Sequence, residues 1–163
     1  MNELGNYGID GYLNVLESLN REIKNASERI RQIANDDENC RLLMSIPGIG
    51  YYSALLIAAE IGDINRFPES QHLCSYAGLI SSTHSSGGVT YHGRITKRGS
   101  KYLRWIMIEC MHVHFRTAPE SNVSKFYAKI ARKKGEQKAI VAATSKLLKV
   151  VYWVMKECRE YHG

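Results

Sequence analysis

The sequence predicts an all-α fold with a long N-terminal helix, and three observations support this prediction. Apolar residues recur at helical spacings along most of the 163-residue chain. The sequence contains no sustained alternation of apolar and polar residues, which is the pattern that would indicate a large β-sheet. With 44% hydrophobic residues, 23% charged residues and only three prolines, the composition is that of a globular chain with its own core.

Residues 1–37 are predicted to form a helix with a heptad seam. A seam flanked by charges favours a coiled coil and hence a homo-oligomer. Because about three heptads is the lower limit for a coiled coil, an amphipathic helix folded back on its own domain is the alternative. The side chains of Asn35–Asp37 suit a helix stop followed by an N-cap. The seam alternates spacings of four and three residues through Tyr12, Leu16, Leu19, Ile23, Ala26, Ile30 and Ile33.

Residues 38–163 are predicted to form the main domain, which begins with a helical hairpin at about 42–62. Two apolar segments flank its turn, Pro47-Gly48-Ile49-Gly50. The arrangement resembles a helix-hairpin-helix motif, in which glycines permit close approach to a phosphate and free N–H groups of the second helix favour an anion. We therefore predict sequence-independent contacts with the DNA backbone at Gly48, Ile49 and Gly50. A plain helical hairpin packed in the core is the alternative.

The rest of the main domain is predicted to contain a short helix at 69–77, a long loop and three further helices. The loop, residues 80–99, is rich in Ser, Thr and Gly and shows no periodicity beyond a short hairpin around Val89–Tyr91. A loop of this length in a compact domain is usually functional or disordered. The three helices, covering about 100–161, are predicted at about 100–115, 122–134 and 137–161.

Basic residues are concentrated in the second half of the chain. The net charge is −4 for residues 1–40, −1 for residues 41–80 and +11 for residues 81–163, although the whole chain carries only +6. A strongly basic half attracts a polyanion, and nucleic acid is favoured over a membrane surface because the predicted helices have a core to fill. We predict DNA contacts at Arg94, Lys97, Arg98, Lys101 and Arg104.

Membrane insertion, secretion and metal binding are not indicated. No apolar run approaches the ~18 to 20 residues that span a bilayer, and residues 1–10 lack signal-peptide features, so we expect a cytoplasmic protein without a membrane partner. Four separated cysteines without a CxxC pair are expected to be reduced and mostly buried. Cys110, His112 and His114 share a helix but are interpreted as core residues and not as metal ligands. Other residues at helical spacings are also expected in the core, namely Trp105, Met107, Met111, Phe126, Tyr127, Tyr152 and Trp153.

The loop also contains a pair of hydroxyl groups, Ser85 and Ser86, beside two glycines. A serine is a weak nucleophile that needs a base, or fixed positive charge that stabilises the developing negative charge. The basic residues that follow the loop can provide such charge. On composition alone, a solvated linker whose basic residues bind DNA phosphates is the alternative.

Several ordered blocks of the sequence together resemble one known family. The blocks are LMSIPGIGY at 43–51, YAGL at 76–79, Ser86-Gly87, GRITKRG at 93–99 and Leu103-Arg104. Over about residues 40–155 they resemble the C-terminal transposase domain of the DEDD transposases of insertion sequences, relatives of the Piv and MooV DNA invertases. Members of this family also carry a coiled coil before the domain.

The resemblance implies a DNA recombinase in which an acidic, RuvC-like domain binds magnesium while a serine attacks a DNA phosphodiester. Matched residue by residue, the nucleophile falls on Ser86, directly before glycine, whereas Ser85 lies where the family varies. Family members assemble as multimers, and at least some are guided by a structured RNA from their own element.

One departure from the family pattern shapes these expectations. The RuvC-like domain of full members precedes the coil, and this chain begins almost at the coil. We therefore expect a shortened form or remnant that holds no cofactor of its own and needs the magnesium-binding domain for catalysis. A non-catalytic helix-hairpin-helix DNA-binding module is the alternative function.

Overall fold

The computed structural model describes residues 3–86, 89–95 and 98–162, and it describes side chains within 9–80 and 98–162. These residues form a helical domain with a long N-terminal helix, which confirms the all-α class. The helices in chain order are α1 (Glu3–Asp36), α2 (Glu38–Met44), α3 (Tyr51–Ile61), α4 (Ser70–Tyr76), α5 (Lys101–Thr117), α6 (Asn122–Lys134) and α7 (Glu136–Glu157), with a 3-10 turn at Ile64–Arg66.

Local sequence signals place most of the helix ends. Helix α6 begins behind Ser121, whose Oγ accepts a hydrogen bond from the backbone N–H of Ser124 at 3.1 Å, and it ends at Gly135. Helix α5 begins behind Ser100 and α2 behind Asp37 in the same way. Each cap satisfies an N–H group that has no partner within its helix. The capping residues of α5 and α6 therefore lie where the sequence predicted the helices to begin.

The core of the domain is organised around α7, which packs against α2, α4, α5 and α6. Tyr152 of α7 is 2% exposed, and its hydroxyl donates to the carbonyls of Phe67 and Pro68 at 3.2 and 3.0 Å. This contact fastens the segment between α3 and α4 to the central helix. The other buried residues of α7 recur at helical spacing and include Ala143, Leu147, Leu148, Val151 and Met155.

Helix α1 packs against α2 and α3 at its C-terminal end, where Ala34 is fully buried. Farther toward the N-terminus, the seam is exposed to solvent: Leu16, Leu19 and Ile23 are 55%, 53% and 62% exposed. In this structure the seam therefore does not fold back on its own domain. Its pairing with a second chain stays a prediction.

The segment predicted as a long loop contains two antiparallel strands, β1 (Ser81–Ser86) and β2 (Val89–Ile95). The prediction of a loop with only a short hairpin around Val89–Tyr91 was therefore wrong in extent. The pairing runs from Ser81 with Ile95 to Ser86 with Val89, with one irregularity between Ser81 and Thr83. Backbone hydrogen bonds hold such a hairpin, so it forms without the apolar alternation that marks a half-buried strand.

Two tryptophans that were expected in the core lie at the surface. Trp105 is 48% exposed and Trp153 is 53% exposed, whereas Met107, Met111 and Tyr152 are buried as predicted. A helix turns about 100° per residue, so Trp105, two residues before Met107, lies on the opposite face of α5. Helical spacing alone was too coarse to separate the two faces.

Candidate functional site

The turn between α2 and α3 spans residues 45–50 and is anchored by two buried isoleucines. Ile46 is fully buried and Ile49 is 5% exposed, and the backbone N–H of Ile49 donates to the carbonyl of Ile46 at 3.0 Å. Burial of these two side chains fixes the turn against the core. Ile49 can therefore offer only its backbone to a ligand.

Gly48 of this turn packs against the backbone of α5. Its φ is +92°, and a Cβ built there would lie 2.7 Å from the nitrogen of His114 and 2.8 Å from the carbonyl oxygen of Cys110. Both the backbone conformation and the lack of space require glycine. The close approach that Gly48 permits is therefore to α5, and its predicted contact with DNA stays a prediction.

His114 connects the turn to α5 and α6. The imidazole is fully buried; its Nδ1 lies 2.7 Å from the carbonyl oxygen of Pro47 and its Nε2 lies 2.8 Å from Oγ of Ser121. A carbonyl only accepts, so Nδ1 carries a proton and donates to Pro47. Its Nε2 lies within hydrogen-bond distance of the Ser121 hydroxyl, which also donates to Oγ of Ser124 at 3.0 Å and belongs to the N-cap residue of α6.

Gly50 and the start of α3 form the open side of the turn. A Cβ at Gly50 would meet nothing within 4 Å, and Tyr51 and Tyr52 are 40% and 50% exposed. Ser53 closes the cap: its Oγ accepts from the N–H of Gly50 at 2.9 Å and donates to the carbonyl of Gly50 at 3.0 Å. The first N–H groups of α3 have no partner within the helix, so this end is electropositive.

The start of α5 is a second electropositive point. Arg98 and Lys101 are exposed, and the Lys101 ammonium lies 5.0 Å from the ring centre of Tyr102. The first turn of α5 contains no acidic residue. A helix N-terminus is partially positive, so nearby cations are repelled by the helix dipole. A bound anion would stabilise both the cations and the helix N-terminus, and the site therefore favours one. One acidic side chain, Glu60, lies close to the start of α5 and accepts a hydrogen bond from Ser100 Oγ at 2.6 Å.

Arg104 plays a structural role next to this point. It is half-buried, and its Nη1 donates to the carbonyl of Ala77 at 2.8 Å, beyond the end of α4. Gly99 packs against the carbonyl of Tyr76, where a Cβ would clash, and has φ of +108°. Arg104 and Gly99 thus hold the two ends of the β1–β2 segment together, and the DNA contact predicted at Arg104 stays a prediction.

The remaining predicted residues belong to the β1–β2 segment. Ser86 is the last residue of β1 and pairs with Val89, while Ser85 pairs with Thr90. Arg94 lies in β2. For Ser86 and Arg94 the structure describes the backbone position, and the predictions at Gly87, Gly88 and Lys97 lie outside the described residues.

The turn and the basic start of α5 lie at two points along the same helix. Gly48 contacts α5 at Cys110 and His114, and nine residues separate Cys110 from Lys101. At about 1.5 Å per residue, the two points are ~14 Å apart along the helix axis. The structure thus places two predicted DNA contacts along α5 without merging them into one pocket.

A second basic surface lies on α6, outside the predicted DNA contacts, where the sequence had indicated only a charge run at Arg132–Lys134 that is usually a solvated face. Lys125, Lys129, Arg132 and Lys133 line a shallow cavity of about 340 Å³ with Ala128. Spacings of four, three and one residues put these cations on one face of the helix. The same spacing, read from the sequence, is the signal that would have identified this face.

All four cysteines are free, and three of them, Cys40, Cys74 and Cys110, are buried, whereas Cys158 is exposed. This agrees with the prediction that the cysteines are mostly buried. Burial raises the pKa of the Cys74 and Cys110 thiols. Burial, reinforced by Asp37, raises the pKa of Cys40 to about 12. These thiols are thus poor nucleophiles.

Two further properties concern only the part of the chain that the structure describes. No three or more His, Cys, Asp or Glu side chains there lie together as metal ligands would. Both ring nitrogens of His114 are already hydrogen-bonded. No helix in the described ranges is long and apolar enough to cross a bilayer.

Comparison with known proteins gives matches along most of the chain. A transposase for insertion sequence element IS1111A from Coxiella burnetii is 30% identical over 149 residues, which cover 89% of this chain and 41% of the relative. A transposase for element IS1328 from Yersinia enterocolitica is 36% identical over 105 residues, covering 64% and 29%. A pilin gene-inverting protein from Moraxella bovis is 33% identical over 123 residues, covering 74% and 38%.

The chain spans less than half of the length of these relatives. The family described as transposase IS116/IS110/IS902 matches residues 40–128, which is more than half of the chain and includes the turn at 45–50, Ser86 and all of α5. The predicted resemblance to insertion-sequence transposases is thereby confirmed at the level of the family. The chain belongs to the IS116/IS110/IS902 family of transposases.

Proposed function

We propose that this chain is the DNA-binding C-terminal part of an insertion-sequence transposase, with Ser86 as its nucleophile. The observation that carries the proposal is the family match over residues 40–128. Relatives over the same part of the chain are named as transposases of insertion sequences and as pilin gene-inverting proteins. Both names describe rearrangement of DNA, so DNA is the proposed partner of this chain.

DNA binding is proposed at two points along α5. At the turn, Gly50 is the position open to a phosphate, and the N–H groups at the start of α3 would donate to it, as in a helix-hairpin-helix motif. At the start of α5, the exposed Arg98 and Lys101 supply positive charge, with Arg94 and Lys97 nearby in sequence. Contacts of this kind involve phosphates and not base edges, so they are independent of sequence.

The proposed reaction begins with attack of the Ser86 hydroxyl oxygen on a DNA phosphorus. A serine–phosphate bond forms while a bond from phosphorus to a DNA oxygen breaks. The serine hydroxyl loses its proton and the released DNA oxygen gains one, which leaves a free DNA hydroxyl end and a covalent protein–DNA adduct. Basic side chains stabilise the charge that develops on the phosphoryl oxygens. Magnesium belongs to an acidic RuvC-like domain in this proposal, as the family resemblance implies.

Assembly is proposed to occur through α1. The exposed heptad seam fits a parallel or antiparallel pair of identical helices, which would make the protein at least a dimer. A structured guide RNA is a further proposed partner, by resemblance to the family. The basic surfaces of α5 and α6 suit RNA as well as DNA, because both present phosphates.

The binding proposal is tested by the salt dependence of DNA affinity. Replacing Arg98 and Lys101 by Ala should reduce the slope of log affinity against log salt by about one unit per lost phosphate contact. The matched control is Arg29→Ala with Arg31→Ala, which removes two exposed cations from the acidic N-terminal part. An equal change of slope in both variants, or binding that ignores salt, would contradict the proposal.

The nucleophile is tested in a full-length transposase that carries this domain. Ser86→Ala should abolish strand transfer and the trapped protein–DNA adduct while leaving DNA affinity nearly intact, because one neutral hydroxyl adds little to a charge-driven interface. Ser85→Ala is the control and should be much milder. An adduct formed by the Ser86→Ala protein, or lost in Ser85→Ala alone, would show that the nucleophile is another residue.

The second candidate function is a non-catalytic DNA-binding module. It is favoured by the open start of α3 at Gly50 and the exposed Arg98 and Lys101, which can bind phosphates without any chemical step. The two candidates differ in one result: a module binds DNA but forms no adduct, even when an acidic domain from a full family member is present.

A further inference from the structure

An open groove lies between the start of α3 and the exposed face of α5. Its volume is about 310 Å³, at the lower end of the ~300–1,000 Å³ range typical of small-molecule pockets. We call it the aromatic groove. Its lining includes Tyr51, Tyr52, Ile106, Glu109 and Val113.

Aromatic rings continue from this groove toward the start of α5. Trp105 lies one helical turn before Glu109, and Tyr102 lies a further turn earlier. Tyr52, Trp105 and Tyr102 are 50%, 48% and 54% exposed. Large aromatic residues are highly buried on average, so a row of exposed rings on one face indicates a surface that binds a ligand.

The position of the row argues for nucleic acid. It lies between the two proposed phosphate contacts, with the open Gly50 at one end and the exposed Arg98 and Lys101 at the other. Single-stranded nucleic acids bind where cations follow the backbone and aromatic side chains stack on the bases. The same arrangement is present here.

Glu109 indicates which part of the nucleic acid enters the groove. A carboxylate repels a phosphate but accepts hydrogen bonds from amino groups, which cytosine, adenine and guanine present on their edges. Glu109 therefore favours a base inside the groove, while the phosphates stay at the basic positions outside. In a duplex the bases are stacked on each other, so only an unpaired base can stack on these rings.

We propose that the aromatic groove and the adjoining face of α5 bind unpaired bases of single-stranded nucleic acid. Tyr52 of the groove and Trp105, which lies beside the groove and not in its lining, stack on the bases, and Arg98 and Lys101 hold the backbone. This inference rests on the proposed binding of nucleic acid by the chain. It adds a substrate class, an opened strand and not only a duplex, and it assigns that class to named residues.

The two tryptophans of the chain provide the test, because they are almost equally exposed on different helices. Trp153→Phe leaves Trp105 of α5 as the only reporter, and Trp105→Phe leaves Trp153 of α7. Both variants are titrated with a single-stranded oligonucleotide of adenines and cytosines, the bases whose amino groups Glu109 can accept from, and with a duplex, while labelled DNA reports total binding. We expect the single strand to quench Trp105 and to leave Trp153 unchanged, and the duplex to quench neither.

Affinity measurements on alanine variants complete the test. Tyr52→Ala and Trp105→Ala should each weaken single-strand binding by about 5- to 150-fold, since one base–aromatic stack contributes about 1–3 kcal/mol. Trp153→Ala is the matched control and should bind as well as the parent chain. Duplex affinity should stay within about 2-fold in all three, because the charges are unchanged.

Each other outcome overturns the inference in a distinguishable way. If DNA binds but Trp105 is not quenched and its replacement has no effect, the groove does not hold bases, while the proposed DNA binding stands. If neither form of DNA binds, both proposals fail. If Trp105→Ala instead lowers the molar mass measured by light scattering, the groove is an interface between copies of the chain.

Discussion

Gly48 lies so close to His114 that a Cβ on Gly48 would come within 2.7 Å of the backbone nitrogen of His114. The turn between α2 and α3 is therefore built onto the middle of α5, and its outward-facing glycine is Gly50. This relationship separates two roles that the sequence pattern had merged, namely packing of the turn and contact with a ligand.

The two glycines are expected to differ in stability. Gly48→Ala should lower the free energy of unfolding by at least about 2 kcal/mol, because a side chain at positive φ is strained and the backbone of α5 leaves no space for it. Gly50→Ala is the control and should cost no more than about 1 kcal/mol, because its φ of −98° is ordinary and its surroundings are open, so that only the poorer N-cap of α3 counts against alanine. Urea unfolding measures both, and equal losses would refute the assignment.

The contribution of the turn to DNA binding is expected at Gly50. Gly50→Val should weaken duplex affinity by blocking approach to the start of α3, without changing the salt slope, because no charge is removed. The parent chain and Gly50→Ala, titrated over the same salt range, serve as references. An unchanged affinity in Gly50→Val would place the DNA elsewhere.

Loss of the His114 imidazole is expected to destabilise the domain strongly. His114→Ala removes hydrogen bonds to Pro47 and Ser121 and leaves a cavity at a fully buried site, which should cost about 2–4 kcal/mol. His112→Ala, on the same helix but only half-buried, should cost less than about 1 kcal/mol. Chemical denaturation compares the two, and similar losses would mean that the bridge from turn to α6 contributes little.

Assembly through α1 is expected to depend on the seam and not on the rest of the helix. Leu16→Glu with Ile23→Glu puts charges on the seam at positions that are more than half exposed, so it should give a folded monomer. Asn14→Glu, which lies off the seam, should leave the oligomer intact. Light scattering at micromolar concentration reads the result, and a monomeric parent chain would contradict the coiled coil.

Thiol reactivity is expected to distinguish one cysteine from the other three. In the folded protein near neutral pH, only Cys158 should react with a thiol reagent, because it is the exposed one of the four. Burial raises the pKa of Cys40, Cys74 and Cys110, so their reactive thiolate form is scarce as well as inaccessible. All four should react in denaturant. Rapid reaction of two or more thiols in the native state would show that the core opens.

The sequence by itself determined the elements whose signals are local. Ser100 and Ser121 cap their helices because a hydroxyl next to free N–H groups acts over a few residues. The family blocks were recognisable because each of them is likewise a short run of consecutive residues. The helical class and the outline of α1, α5 and α6 followed from these signals. The heptad seam of α1 was also predictable from the sequence, because it is read from the spacing of apolar residues within one helix.

Only the tertiary structure decided what each surface faces. Gly48 and Arg104 are residue types that suit a phosphate site. In the fold, however, Gly48 packs against the backbone of α5, and Arg104 donates a hydrogen bond to the carbonyl of Ala77. Trp105 fitted a core periodicity and lies outside, because burial depends on which helices pack together and not on spacing along one of them. The groove between α3 and α5 arises from residues more than fifty positions apart in sequence, and only folding brings them together.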